Sequence, residues 1–463
     1  MSTFGTLFRV TTYGESHGAS VGAIIDGCPP NMPLEPQDIQ IQLNRRRPGQ
    51  SKLTTPRDEK DLVQLQSGIE GDRTLGTPIG LLVHNENHRA KDYSETDLYP
   101  RPSHADWTYL EKYGIKASSG GGRSSARETT ARVAAGAIAE KYLRLTYGIE
   151  IVAFVSSVGD AHLSSSVSDD DSEEEVLSSE FINFLKMVTR EDVDRYPTRC
   201  PDDHTSGMMT ERILRAKKSQ DSVGGTVTCV IRKVPSGLGE PVFDKLEAKL
   251  AHAMLSIPAT KAFEIGSGFR GTKVPGSKHN DAFVLREDGS MGTKTNWSGG
   301  VQGGISNGED IYFRIGFKPT ATISLPQETA QYDGTPGILA ARGRHDPCVV
   351  PRAVPIVEAM AALVIMDHVL IQNARKKVTT LPPIIVERPI PIPKPPTVQP
   401  PIVKPPPSKL PSLILFIIRV VHFLGRFPIR VVRSLRLFII RVLQAVILLL
   451  KEYRLRLHPP RYG

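Results

Sequence analysis

The chain has 463 residues, a formal net charge of +9 and 23 % charged residues, enough for a substantial core and for up to about three domains. The charge is uneven: residues 381–463 carry 14 Lys and Arg against 2 acidic residues, while the part before Leu381 carries 44 basic against 47 acidic. That near-neutral body gives no field suited to DNA or RNA, and Cys28, Cys200, Cys229 and Cys348, widely spaced, read as reduced thiols and not as a disulfide framework or zinc site.

In chain order, the N-terminus shows no basic stretch leading into an apolar one, so no secretory signal is expected. Leu7 to Thr12 and Val21 to Asp26 read as strands flanking the turn GESHG, Gly14 to Gly18. Gln37 to Leu43 predicts one or two helical turns with Pro36 at the start, followed by an irregular basic loop, RRRPGQSKLTTPRDEK. Gly80 to His84 predicts a buried strand. Ser124 or Ser125 is expected to cap a helix through ARETTARVAAGAIAEKYLRL, whose Val133, Ala137, Ile138 and Leu143 form an apolar stripe. Ile149 to Val158 reads as a strand, and the acidic, low-complexity stretch at about 163–180 as an exposed, mobile insertion. Strands are expected at Ser222 to Val234, Phe283 to Arg286 and Ile311 to Phe317, and a helix at Phe243 to Leu255. Pro351 to Asn373 predicts a long apolar helix beginning near Pro355. From Leu381 the polymer changes character. Residues 381–411 form a Pro-rich linker that favours extended conformations, and 412–463 form a basic tail. In the tail Arg419, Arg426, Arg430, Arg433, Arg441 and Lys451 share one helical face, and Pro428 interrupts it. No uncharged apolar run there reaches the ~18 residues of a spanning helix. Two readings of the tail stand side by side, an amphipathic segment in contact with a membrane surface and an extension with no selected role.

Several segments carry chemistry. GGGRSSARET, Gly120 to Thr129, puts glycines, Arg123, Ser124 and Ser125 at a helix start, where backbone N–H groups and a positive dipole end suit a phosphate; an ordinary capped glycine loop has the same composition. Arg127 is assignable to the site or to the solvent face, and Glu128 with Arg132 reads as a helix pair. GESHG offers Glu15, Ser16 and His17, with an imidazole that moves protons near neutrality. His104 in RPSHADWTY does the same, with Asp106 and Trp107 placed to orient or shield it. Arg45, Arg46, Arg47 and Lys52 crowd a bent loop suited to a multiply charged anion or to solvent. Arg344, His345 and Asp346 precede a helix: Arg344 suits an anion, and Asp346 suits proton acceptance, helix capping or pairing with Arg342 or Arg344. Lys318 to Thr322 (KPTAT), with Pro319, Thr320 and Ala321 between them, and the backbone at Gly303 and Gly304 are also compatible with phosphate. Gly266 to Gly271 fits G-x-G-x-x-G, but Pro275 and Gly276 follow and no helical period appears, which argues against a Rossmann site. A serine hydrolase using Ser16 or Ser125 is admitted by residue type, although no G-x-S-x-G elbow is present.

Together and in this order, FRVTTYGESHGASVGAIIDGCPP, RRRPGQSK, RPSHADWTY, GGGRSSARETTARVAAGAIA, SIPATKAFEIGSGF, GGISNG and GRHDPCVVPRAVPIVEAM resemble chorismate synthase, over residues 1–380. The resemblance implies an α+β chain folded as a β-α-β sandwich, a cytoplasmic homotetramer, and the last step of the shikimate pathway. That step is the anti-1,4 elimination of phosphate from 5-enolpyruvylshikimate 3-phosphate, with reduced FMN required. It implies that His17 protonates the departing phosphate beside Ser16, that His104 serves the flavin with Ser125 in the proton network, and that Asp346 assists removal of the ring proton. Arg123, Ser124, Ser125, Pro258, Ala259, Gly303, Lys318, Pro319, Thr320, Ala321, Thr322 and Arg344 would surround FMN. Arg46 and Lys52 match positions associated with a nicotinamide nucleotide. The acidic insertion and motif wording resemble the eukaryotic branch, whose fungal members also reduce their flavin with NADPH. The tail departs from the family, and a membrane-surface or scaffold role acting through it is the reading from another function class.

Overall fold

The computed structural model describes residues 2–55, 59–86, 97–116, 119–163, 177–341 and 346–378. The core of the acidic insertion, the Pro-rich linker, the basic tail, and Arg342, Arg344 and His345 lie outside them.

Two five-stranded antiparallel sheets carry the fold. The first runs, in spatial order, Thr3–Phe4, Arg9–Tyr13, Ser20–Asp26, Ile79–His84 and Val63–Leu65. Its strands alternate: Val21, Ala23 and Ile25 on one, and Ile79, Leu81 and Val83 on the next, turn inward and are buried. Period-two burial of this kind marks a sheet with one covered face. The second sheet runs Thr260–Ile265, Ile311–Phe317, Gly225–Arg232, Glu150–Val158 and Ala161–His162. Ile151 to Val155 is buried without a break, because the helices Arg190–Asp194 and Asp203–Lys218 cover the strand's other side.

Between the sheets lie the helices Pro36–Arg46, Thr129–Tyr147 and Val350–Val378. Thr129–Tyr147 packs on the first sheet, Val350–Val378 on the second, and the two pack on each other. A Cβ on Gly136 would fall 2.4 Å from Ala359 Cβ, so the small residues of ARVAAGAIA set how closely the helix axes approach. The Val350–Arg375 stretch is long and apolar enough to span a membrane, yet 89 % of its most apolar window is buried inside the protein, where it serves as a core helix.

The expected strands at 7–12, 21–26, 80–84, 149–158, 222–234, 283–286 and 311–317 appear with ends shifted by up to three residues, and the α+β class holds. Three expectations change. The helix after Pro36 runs three turns, to Arg46, because buried Arg46 continues the inward face of Ile39 and Leu43 into the basic run. The helix after GGGRSSARE begins at Thr129, since Ser119–Ser124 and Ala126–Glu128 wind as tighter 3-10 turns with Ser125 capping the second. The last helix begins at Val350, and Pro355 lies inside it. Proline there leaves the Pro351 carbonyl without its helical donor. Arg199 Nη1 supplies one at 2.6 Å.

Candidate functional site

A cavity of about 380 Å³ opens where the loop 101–105, the turn 124–127, the segment 257–259, the strand end 317–322 and the start of the last helix converge. This is within the size range of small-molecule sites. Arg46, Arg101, Arg127, Lys318 and Arg352 line it against the carboxylates Glu59 and Asp346, so the lining is cationic. Ile257, Pro258, Ala259, Phe317, Val349, Ala353 and Ile356 give it an apolar wall. Two lining residues other than glycine, Ser103 (φ 57°) and Ala259 (φ 71°), adopt left-handed backbone. Such strain persists where the surroundings fix it and gathers at ligand sites.

His104 is held from behind. Its Nδ1 lies 2.8 Å from Asp106 Oδ1, and Asp106 is 5 % exposed. Burial alone would raise the Asp106 carboxyl, but hydrogen bonds from Arg101 and His104 hold it well below the usual carboxylate range. An ionised carboxylate at Nδ1 makes that nitrogen the donor and leaves Nε2 as the atom that exchanges a proton. Gly121 (φ 94°) permits the fit: a Cβ there would stand 2.9 Å from His104 Cε1.

Asp346 accepts the Thr55 N–H at 2.8 Å on Oδ1 and Arg352 Nη1 at 2.5 Å on Oδ2. Its partner is therefore an arginine of the last helix. A carboxylate has about four lone-pair sites, so acceptor capacity remains. Ser125 Oγ accepts the Arg127 N–H at 3.3 Å, which does not consume its own hydroxyl hydrogen. Ser124 Oγ donates to Gly121 O at 2.6 Å. Thr320 Oγ1 donates to Asp346 O at 3.0 Å, joining the KPTAT segment to the aspartate. Burial, reinforced by Lys261, lowers the Lys318 ammonium below its usual value.

The structure thus brings together on one cavity His104, Asp346, Ser124, Ser125, Pro258, Ala259, Lys318, Thr320, Ala321, Thr322 and Arg46. Ser16, His17, Lys52, Arg123, Gly303 and Pro319 are not among its lining residues. Ser16 and His17 sit on the loop between two paired strands, Ser16 Oγ 3.0 Å from His17 Nδ1. That loop backs onto the cavity wall: Asn85 Nδ2 donates to Glu15 O and Gly18 O, and Asn85 Oδ1 accepts from Arg127 Nε at 2.7 Å. Arg123 spends its guanidinium on Gly14 O, Thr12 O and Thr12 Oγ1, fixing the same loop. Gly303 occupies the turn of a separate hairpin, Val301–Gln302 with Ile305–Ser306. Lys52 is exposed, while Arg46 is 2 % exposed and bonded to Asp61, Thr129 and Ala126, so the two do not make one anion site. Burial brings the Arg46 guanidinium down to about 10, with Asp61 opposing; it stays charged at neutral pH.

Sequence reasoning missed Arg101, Glu59, Asp61 and Arg352, and left Arg127 open. Arg127 proves buried, paired with Glu59 at 3.1 Å and with Asp61. Charged residues in loops carry no period, so only the pairing itself distinguishes them from solvated ones. The Glu128–Arg132 helix pair forms as read, at 2.8 Å. All four cysteines are free and buried. The G-x-G-x-x-G stretch follows a strand paired antiparallel and opens a helix of four residues, which is not a parallel β-α-β unit.

A family profile described as chorismate synthase matches residues 8–370. The chorismate synthase of Schizosaccharomyces pombe is 67 % identical over 384 residues, spanning 81 % of this chain and 97 % of its own length. That of Neurospora crassa is 64 % identical over 406 residues, 83 % of this chain and 94 % of the relative. That of Saccharomyces cerevisiae is 63 % identical over 377 residues, 81 % and 98 % respectively. A crystal structure of a chorismate synthase superposes with a TM-score of 0.62 at 29 % identity, covering 80 % of this chain and 93 % of that one.

Proposed function

Since the chain belongs to the chorismate synthase family and is a carbon–oxygen lyase, we propose that the cavity around His104 is where phosphate is eliminated from 5-enolpyruvylshikimate 3-phosphate. The observation that carries this reading is His104, backed by an ionised Asp106, on a wall shared with five cations and an apolar face. The substrate bears a phosphate and two carboxylates, and cations in a partly dry cleft attract such a ligand far more strongly than in water.

The family requires reduced flavin, and the residues fit one. The apolar wall at Ile257, Pro258, Ala259 and Phe317 suits a planar ring, and Lys318, Thr320 and Thr322 with Ser124 and Ser125 would hold its polar parts. Reduced FMN, when bound, supplies electron density to the substrate ring without net redox change. In the elimination a ring C–H bond breaks, its electron pair forms the new double-bond system, and the C–O bond to phosphate breaks on the opposite face. Asp346 takes the ring proton, Thr55 and Arg352 fixing its orientation. His104, its Nδ1 held by Asp106, would present Nε2 to hold or move a proton at the flavin side of the cavity. His17 protonates the leaving phosphate, which requires that end of the substrate to extend past Arg127 toward the 14–18 loop.

We further propose a second activity, reduction of FMN by NADPH on the same chain, from the acidic insertion and motif wording that resemble the eukaryotic branch. We also propose the homotetramer that the resemblance implies, in which exposed apolar side chains such as Phe243, Phe269 and Leu285 would be available for contacts. A cytoplasmic location accords with the four reduced thiols. The test is turnover of the enolpyruvyl substrate with chemically reduced FMN. His104→Ala and His17→Ala should each slow it by about two to four orders of magnitude. No chorismate from the wild-type chain with reduced FMN overturns the assignment, and an unaffected His17→Ala removes His17 from it. Anaerobic incubation with FMN and NADPH reads the second activity, and an unbleached flavin refutes it. A chain ending near Lys377 should keep full turnover; its loss in a folded protein would give the tail a role.

A further inference from the structure

We propose that Arg101 is a positioning residue of the reaction, which sets the proton affinity and tautomer of His104 through Asp106. The proposal rests on the reading of His104 as the proton-exchanging group of the cavity. Nothing in the RPSHADWTY motif singles out its arginine; the geometry does.

Arg101 encloses one carboxylate. Its Nε donates to Asp106 Oδ2 at 2.7 Å, its Nη2 to Oδ1 at 2.8 Å, and its backbone N–H to Oδ2 at 3.0 Å. Both residues are 5 % exposed. This forked pairing is the strong, geometrically specific form of an arginine–carboxylate contact. The same Oδ1 faces His104 Nδ1 at 2.8 Å, so Arg101 and His104 share one negative charge. Arg101, Pro102, Ser103 and His104 form a turn closed by the His104 N–H on Arg101 O at 3.0 Å, and Ser103 takes the left-handed conformation in it. The arginine therefore fixes the backbone that carries the imidazole as well as the charge behind it. Its remaining branch, Nη1, reaches Thr322 Oγ1 at 3.3 Å and ties this loop to the KPTAT wall.

A carboxylate shared with a guanidinium stabilises an imidazolium less than one held by the histidine alone. Arg101 accordingly keeps Asp106 ionised, which orients His104, and limits how tightly His104 holds its proton. The other charged groups around the cavity are Lys318 on the strand end, Arg46, Glu59 and Arg127 on the floor, and Asp346 and Arg352 by the last helix. Tyr332 lies beyond Asp106; burial and that carboxylate push its phenol up to about 12, so it is neutral through the range in which imidazole titrates. Arg101 itself pulls that phenol down, so changing it pushes Tyr332 further up and leaves it neutral where imidazole titrates.

The experiment uses the full chain labelled with 15N-histidine and free of flavin, the His104 signal being identified by its loss in His104→Gln. Wild type should show Nδ1–H in the neutral form. In Arg101→Gln the titration midpoint of His104 should rise by about one pH unit, the lower end of what one neighbouring charge imposes. With reduced FMN present, kcat should fall at least about tenfold, and the histidine limb of the pH profile should move in parallel. Arg101→Lys, which keeps the charge and loses the fork, should return most of kcat. If Arg101→Gln does not fold, Arg101→Lys is read instead, with a smaller upward shift expected. An unmoved midpoint in the folded variant, or an Nε2–H tautomer in wild type, overturns the proposal. Absence of chorismate turnover with correct tautomer and shift would instead overturn the catalytic reading of His104 and leave the coupling standing.

Discussion

Glu358 gives the most demanding stability test. It lies on the last helix with 3 % exposure and accepts from Arg45 and from the Ala153 N–H at 3.0 Å. Arg190 stands 3.3 Å away. Burial alone would raise this carboxyl, but Arg190 and Arg45 lower it below its usual range. One glutamate thus joins the helix Pro36–Arg46, a strand of the second sheet and the last helix. Removing one partner of a buried ion pair costs about 3–5 kcal/mol, because the other charge is left uncompensated. Here the cations retain second partners, Arg45 with Asp194 at 2.6 Å and Arg190 with Glu140 at 2.7 Å, which favours the lower figure. The orphaned Ala153 N–H adds at least about 1 kcal/mol. Glu358→Ala should therefore lose about 4 kcal/mol, nearly three decades in the unfolding constant. Glu358→Gln keeps an acceptor for Ala153 and should lose about half as much. Urea unfolding reads both from the shift in midpoint at constant slope. A loss below about 1 kcal/mol for Glu358→Ala with unchanged slope would refute the view that this carboxylate neutralises buried cations. The pH sign follows: a lowered carboxyl stabilises the fold above its unfolded value and ceases to do so as pH falls through its folded one. The Glu358 variants should accordingly converge with wild type in acid.

Three further outcomes are expected. Asp367 accepts the Thr6, Leu7 and Phe8 N–H groups at 2.8, 2.7 and 3.0 Å, so Asp367→Ala should cost about 2–3 kcal/mol and selectively lose hydrogen-exchange protection at those amides; retained protection there would refute the tether. Gly121→Ala combines a φ of 94° with a Cβ 2.9 Å from His104, so kcat should drop at least about tenfold, and wild-type kcat would show that the ring does not need this space. Burial lowers the His368 imidazole, so the folded state binds fewer protons than the unfolded chain just below pH 6.5, and stability should rise with pH there. His368→Gln should flatten that slope, and an unchanged slope would assign it to another group.

Legibility followed the physics of each signal. Strands of the first sheet were readable because one face is covered and the side chains alternate, and Ile311–Phe317 was placed to the residue by its apolar run. The start of the last helix was not, because Pro355 looks like an N-terminus until the distant Arg199 supplies the missing hydrogen bond to Pro351. His104, Asp346 and the KPTAT segment were found through residue type, and the structure places them on one cavity. Arg101, Arg352 and the Glu59–Arg127–Asp61 group were missed for one reason: an arginine in a loop is solvated by default, and only a buried carboxylate supplied by distant sequence changes that. The 14–18 loop taught the opposite lesson. Its residues were singled out by type, but they are not among the cavity's lining, to which Asn85 links the loop through Arg127.

The pairing pattern also divides labour among the cavity's cations. Arg46 is tied to Asp61, Arg101 to Asp106, Arg127 to Glu59 and Asp61, and Arg352 to Asp346. Each guanidinium is thereby held in place by a carboxylate and gives up part of its own pull on a ligand. Lys318 differs: among the described residues no carboxylate pairs with it, and burial with Lys261 lowers its ammonium. A cation so placed gains from meeting an anion, since the ligand restores the compensation that desolvation removed. On the proposed function, the arginines would orient the proton-handling groups and Lys318 would be the cation most open to an anionic ligand. The cavity can stay cationic without an excess of unpaired buried charge, and that condition lets a rigid, close-packed sheet–helix–sheet body hold an anion site at its edge.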